Sequence, residues 1–320
     1  MGKKAGLIIL LCVLLPAVAS AQRIQVIKRV TPTAGGGGSQ PPIWSDNTNT
    51  RGVWFLEETG TTDRDNAQGT ATRDLAESTS FNNDTSAKQG TYSNSFTAGP
   101  YLECTDANCG GTSALDLTGA YTIGCWVYPT SSSNLRRIIA KGTSTASVNS
   151  TGYMMGRTSS STLHCENTTT ESVSSASSNP VNTWTHSVCR WDATNLRPYI
   201  DGVASGSNVA SVNPANVTNP FRIGARSDAT TANQTFDGLL DECFVVRASM
   251  SDAQICRVAR CGFDGEFCVC DDSPTTSYKP CYSDADCKDY SVYGTCNTTD
   301  STCSGRAISC TLPNCDDTGP

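Results

Sequence analysis

Basic charge is in short supply in this chain. Lysine and arginine number 23 against 30 aspartate and glutamate, leaving a net charge of -7 and a pI near 4.9. Nucleic acid and anionic membrane surfaces want a basic face, so neither is expected as a partner, and the acidic excess serves solubility instead. Histidine is scarcer still, with two residues in 320, which argues against zinc as the use of cysteine. Long apolar runs are missing too. Ala5 to Leu15 is shorter than the ~20 residues that a spanning helix needs. It lies between Lys3-Lys4 and the small-residue pattern Ala19-Ser20-Ala21, the signature of a secretory signal peptide over residues 1–21 with cleavage before Gln22. No later stretch is apolar enough to span a bilayer, so a secreted or surface-held protein is expected. Gly35 to Gly38 lacks the Lys-Ser/Thr ending and following helix of a phosphate loop.

Cysteine, by contrast, is plentiful. Seventeen are present, and losing Cys12 with the signal leaves an even number in a secreted chain, so disulfides are expected throughout. Cys104, Cys109, Cys125, Cys165, Cys189 and Cys243 are spread along the middle of the chain. Cys261, Cys268, Cys270, Cys281, Cys287, Cys296, Cys303, Cys310 and Cys315 crowd its end, where large aliphatics are few. That last group is odd in number, so one bridge must cross upstream, and Cys256 is the nearest partner. Asn-X-Ser/Thr patterns occur at Asn83, Asn149, Asn167, Asn216, Asn233 and Asn297. They are candidate glycan acceptors among Ser/Thr-rich loops.

Four regions follow from these composition shifts. After the signal, residues 22–49 hold a strand-like segment with Ile24, Val26 and Val30 on one face and Arg23, Gln25 and Arg29 on the other, then a glycine linker. A strand tethered at one end only can pair with its own domain or with a neighbour's sheet edge. Residues 50–260 alternate short apolar segments with Gly/Asn/Asp/Ser turns, the pattern of an antiparallel sandwich of a size suited to one domain. One helix is expected, with Ser251 and Gln254 forming a capping box and Ile255, Val258 and Ala259 an apolar face ending before Gly262. Residues 261–320 cannot bury much core and should be a module stapled by disulfides.

The segment Trp184 to Val203, WTHSVCRWDATNLRPYIDGV, carries the most fold information. Two apolar runs flank a polar corner at Asp192 to Asn195, and Asp201-Gly202 tolerates the positive φ of a tight hairpin. With YTIGCWVYP at Tyr121–Pro129, IIAKG at Ile138–Gly142, FRIG at Phe221–Gly224 and FDGLLDECFVVR at Phe236–Arg247, in that order, it resembles the laminin G-like domains of the concanavalin A-like lectin and glucanase superfamily. The resemblance covers roughly residues 50–260 and implies an all-β antiparallel jelly-roll sandwich, with the short helix closing it and the disulfide-rich module following. It places Cys125 beside Cys243 and Cys165 beside Cys189, while Cys104 and Cys109 would close a small loop; connectivity itself is not readable from sequence. Trp54, Trp126, Trp184 and Trp191 read as core aromatics.

The superfamily includes glucanases, whose retaining chemistry needs two carboxylates about 5 Å apart. In those enzymes they come from a Glu-x-Asp-x-x-Glu strand. No such string occurs here; Asp237 to Glu242 has the wrong spacing, and Asp241 reads as satisfying backbone groups. His186 stands in a Trp-x-His pattern that laminin G-like domains carry without catalytic use, and His164 has no evident serine or thiol to activate. The expected protein is therefore not an enzyme. The resemblance implies adhesion to glycans or surface glycoproteins. An alternative is a subunit of an extracellular fibre built by adding strand 22–30 to a neighbour, and a secreted glycosidase is a remoter one. Calcium is a candidate cofactor, held by Asp63, Asp65 and Asn66 in one acidic loop, with a similar cluster at Asp271, Asp272, Asp284 and Asp286.

Overall fold

A computed structural model describes residues 49–59, 63–67, 73–97, 99–109, 115–132, 135–145, 148–168, 171–227 and 234–262, with the strand backbone of 295–297 and 302–304. In chain order the strands are β1 (Thr50–Trp54), β2 (Ala76–Glu77), β3 (Asn82–Asp84), β4 (Ser93–Ser95), β5 (Leu102–Cys104), β6 (Tyr121–Pro129), β7 (Arg136–Thr145), β8 (Val148–Arg157) and β9 (Thr162–Thr168). There follow β10 (Glu171–Ser178), β11 (Thr185–Trp191), β12 (Asn195–Ile200), β13 (Val203–Ala204), β14 (Val209–Ala210), β15 (Phe221–Ile223), β16 (Gly238–Val246), helix α1 (Asp252–Cys261), β17 (Thr295–Asn297) and β18 (Thr302–Ser304). The last two form a hairpin with Cys296 opposite Cys303.

Two antiparallel sheets form the expected sandwich. One runs β13-β12-β11-β6-β16-β4-β3, with β1 on β16 and β14 on β12; the other runs β10-β9-β8-β7-β15-β5-β2. Between them lies a core that includes Trp54, Tyr121, Ile123, Ile139, Met155, Trp191, Phe221, Phe236 and Leu240. The period of two along each strand sends every second side chain into this layer. Burying each large apolar side chain there contributes about 1.5–3 kcal/mol.

The Asp201-Gly202 turn has both residues at positive φ, 51° and 82°. At the preceding corner the Asp192 carboxylate accepts the amides of Thr194 and Asn195 at 2.9 and 2.7 Å. The capping box on α1 is present as well. The helix covers the outer face of the first sheet, where Ile255 and Val258 join a second apolar cluster with Val53, Val188, Tyr199, Phe244 and Val246.

Three disulfides join the expected partners: Cys104–Cys109, Cys125–Cys243 and Cys165–Cys189. The second ties β6 to β16, neighbours in one sheet, whereas the third ties β9 to β11 and therefore crosses between the sheets. Cys256 is also disulfide-bonded. The strand at Ile24, Val26 and Val30, and most of the module at 261–320, lie outside the described residues.

Candidate ligand face of the second sheet

The inner side chains of the second sheet, among them Leu102, Ile139, Met155, Cys165, Val173 and Ile223, belong to the core. Their alternates point the other way. Register aligns these into one row across all seven strands: Ser172, Glu166, Met154, Ala140, Arg222, Glu103 and Ala76. Beside it runs a second row of Ser174, His164, Gly156 and Arg137. Gly156 keeps the second row low, because a Cβ there would sit 2.5 Å from the Arg136 carbonyl oxygen.

Polar pairs stand at either end of an apolar centre made by Met154 and Ala140, both fully shielded. On one side Glu166 Oε2 lies 3.2 Å from Arg137 and 3.4 Å from His164 Nε2. A carboxylate only accepts, so Nε2 carries a proton towards it, and Nδ1 stands 3.3 Å from the Ser174 hydroxyl, from which it accepts when the ring is neutral. On the other side the Arg222 guanidinium donates to Glu103 at 2.7 Å and to the Arg226 carbonyl at 2.7 Å, and lies 4.4 Å above the Tyr101 ring. At about 4.8 Å per strand, Glu166 and Arg222 are roughly 14 Å apart. His164 thus has a serine neighbour that the linear sequence conceals, since Ser174 reaches it only through β9–β10 pairing.

The family profile described as the concanavalin A-like lectin/glucanases superfamily matches residues 96–256. The chain belongs to that superfamily. Among solved structures, domain 4 of a GH43 extracellular arabinanase from Geobacillus stearothermophilus is similar at 13% identity and a TM-score of 0.48, over 66% of this chain and 98% of that one. A Trypanosoma rangeli sialidase is similar at 11% identity and a TM-score of 0.48, covering 65% of this chain and 32% of its own. The binding domain of Paraclostridial mosquitocidal protein 1 is similar at 8% identity and a TM-score of 0.47, over 67% and 52%. At these scores the similarities carry no argument about ligand or reaction. Among curated proteins, none matches the sequence.

Other residues singled out from the sequence of this superfamily member fall elsewhere. Asp63 and Asp65 point to solvent while Arg64 and Asn66 point inward, so the three candidate calcium ligands do not converge. The Asn66 carboxamide oxygen accepts the Val53 amide at 3.1 Å, and buried Arg64 between them pairs with Glu77 at 2.7 Å. Among the described residues no three His, Cys, Asp or Glu side chains gather as a metal set. Asp271, Asp272, Asp284 and Asp286 lie outside the described residues.

Of the glycan acceptors, Asn216 is exposed. Asn83 is half-buried and donates to the Glu58 carbonyl at 2.6 Å. Asn167 must be corrected. It is 0% exposed, accepts from the Tyr121 hydroxyl, and donates to Ser211 Oγ and the Val212 carbonyl at 2.9 and 3.1 Å. An amide so enclosed carries no glycan in the folded domain. The side chains of Asn149, Asn233 and Asn297 lie outside the described residues.

Trp126 is buried as expected, but on the outer face of the first sheet and not between the sheets, its ring tilted 55° to that of His186 with centroids 5.0 Å apart. Trp184 is the tryptophan to correct, being only half-buried. Sequence reasoning missed Tyr101, Glu103, Arg137, Glu166 and Arg222. The signal was available locally: Glu103 in Leu-Glu-Cys and Arg222 in Phe-Arg-Ile are charges between two core positions, which marks an outward face.

Proposed function

We propose that this protein is a secreted, non-catalytic glycan-binding module that engages glycans or surface glycoproteins through the outer face of its second sheet. The observation that carries this reading is the register-aligned row of Glu166, Met154, Ala140, Arg222 and Glu103. Fixed planar donors and acceptors along this row suit a polyhydroxyl ligand, whose hydroxyls need oriented partners. Met154 and Ala140 are shielded and hold the row flat, while half-buried Tyr101, Glu103, His164 and Ser172 offer the contact surface. Non-catalytic binding is favoured by distance. Glu166 and Glu103 stand four strands apart, roughly 19 Å, beyond the ~5–10 Å that either glycosidase geometry requires. Each is also paired to an arginine. Extracellular action is supported by the disulfides within the sandwich.

Binding to a broad glycan array, followed by titration of a hit against Arg222→Ala, tests the reading. A loss of roughly tenfold or more in affinity is expected, the effect of removing one charge-assisted bidentate group. Undiminished binding by that variant, or release of reducing sugar from a polysaccharide, would count against it.

A further inference from the structure

Lys141 stands where a core residue belongs. Its register partners Tyr153 and Phe221, and Cys104 next to Phe221, all face the core, and Lys141 is itself 1% exposed. An ammonium at that depth is tenable only among compensating oxygens. Four surround it: Asp106 Oδ1 at 2.7 Å, the Asn219 carbonyl at 2.8 Å, Asp116 Oδ1 at 3.1 Å and the Val217 carbonyl at 3.2 Å.

These oxygens come from three rim segments that are otherwise separate in the chain. Asp106 lies in the small loop closed by Cys104–Cys109. Asp116 follows Leu115, whose carbonyl accepts the Tyr153 hydroxyl at 2.7 Å. Val217 and Asn219 precede Pro220, whose carbonyl accepts from the Ser227 hydroxyl at 2.6 Å, and Ser227 Oγ in turn accepts the Gly142 amide at 3.1 Å. Two carboxylates and two main-chain carbonyls, with no nitrogen or sulfur donor, form the ligand set of a hard cation.

We propose that Lys141 is a tethered cation seated in a calcium-type oxygen cage, and that the cage is a latent divalent-cation site. The chain carries for itself the charge that stitches three rim loops together. Calcium's ligand distances of about 2.3–2.6 Å require the two nearer oxygens to draw in by about 0.1–0.5 Å and the two farther by about 0.5–0.9 Å, and water completes its coordination once the lysine side chain is gone.

The test compares the full chain, Lys141→Ala, and Lys141→Ala combined with Asp106→Asn and Asp116→Asn, each melted in EDTA and in millimolar calcium chloride. Lys141→Ala is expected to melt below wild type in EDTA and to recover about 5–10 °C in calcium. Wild type and the triple variant are expected not to respond. A Lys141→Ala protein that melts at one temperature in both solutions, or that folds in neither, overturns the proposal. So does a triple variant that shows the same calcium shift.

Discussion

Asp241 and His186 are both cross-strand partners of Trp126, one from β16 and one from β11, on the outer face of the first sheet. Their protonation is pushed in opposite senses. Burial raises the Asp241 carboxyl to about 7, against the lowering pull of the Gln89 and Lys88 amides that it accepts at 3.0 and 2.8 Å. Burial, helped by the Lys88 ammonium 4.4 Å above the Trp126 ring, lowers His186 to about 3. Among the described residues neither ring nitrogen of His186 has a hydrogen-bond partner.

These two groups offset each other in the pH dependence of stability. A raised carboxyl contributes stability that is fully present below its unfolded value of about 3.9 and is lost as pH rises through about 7. A lowered imidazole contributes stability present above about 6.5 and lost as pH falls towards about 3. Between roughly pH 4 and 6.5 the slopes cancel, each being at most about 1.4 kcal/mol per unit. Urea midpoints of Asp241→Asn are therefore expected to fall on acidification relative to wild type, and those of His186→Gln to rise. Parallel profiles for all three proteins would refute the pairing.

The bridge between Cys165 and Cys189 joins the sheets across a sequence separation of 24. Replacing both cysteines by alanine should cost about 3–4 kcal/mol by loop entropy, read as a lowered denaturant midpoint in non-reducing buffer. A change under about 1 kcal/mol would mean that the core alone holds the sheets in place.

Asn167 and Asn216 make opposite predictions in a host that glycosylates the Asn-X-Ser/Thr motif. Asn216→Gln is expected to remove one glycan from the intact mass, whereas Asn167→Ala should leave the mass of attached glycan unchanged. The latter variant should lose about 1–3 kcal/mol, since the buried Tyr121 hydroxyl is left without its acceptor. A glycan found on Asn167 would contradict its enclosed position.

At Gly124 the second apolar cluster packs directly over the backbone. A Cβ there would lie 2.6 Å from the Phe244 ring and 2.7 Å from Val188. Gly124→Ala is expected to cost about 1–3 kcal/mol by overpacking, measured as a shift in the denaturant midpoint.

Much of the fold was legible because its devices are local. Asp201-Gly202 tolerates positive φ wherever it stands, Ser251 and Gln254 cap whatever helix follows them, and alternating apolar residues demand a buried face. The ordered motifs from Tyr121 to Arg247 then sufficed for the sandwich and for two of its disulfide pairings. The candidate site was less legible. Glu166, Arg222 and Glu103 fall into one row only through the register of β9, β8, β7, β15 and β5, and Ser174 comes to His164 only through a hairpin. The acidic spelling Asp63-Arg64-Asp65-Asn66 misled, because extended backbone turns alternate side chains to opposite sides.

By itself, then, the sequence determined the turns, the cap, the two-residue periodicity and the superfamily, since each depends on neighbours along the chain. The tertiary structure alone decided that a lysine in Ile-Ile-Ala-Lys-Gly would be buried among four oxygens, and that Asn167 would be enclosed while Asn216 stayed open. It also set Asp241 and His186 on either side of one tryptophan. Depth, dielectric surroundings and partners are properties of packing between distant segments, and they govern what a charged or amide side chain can do.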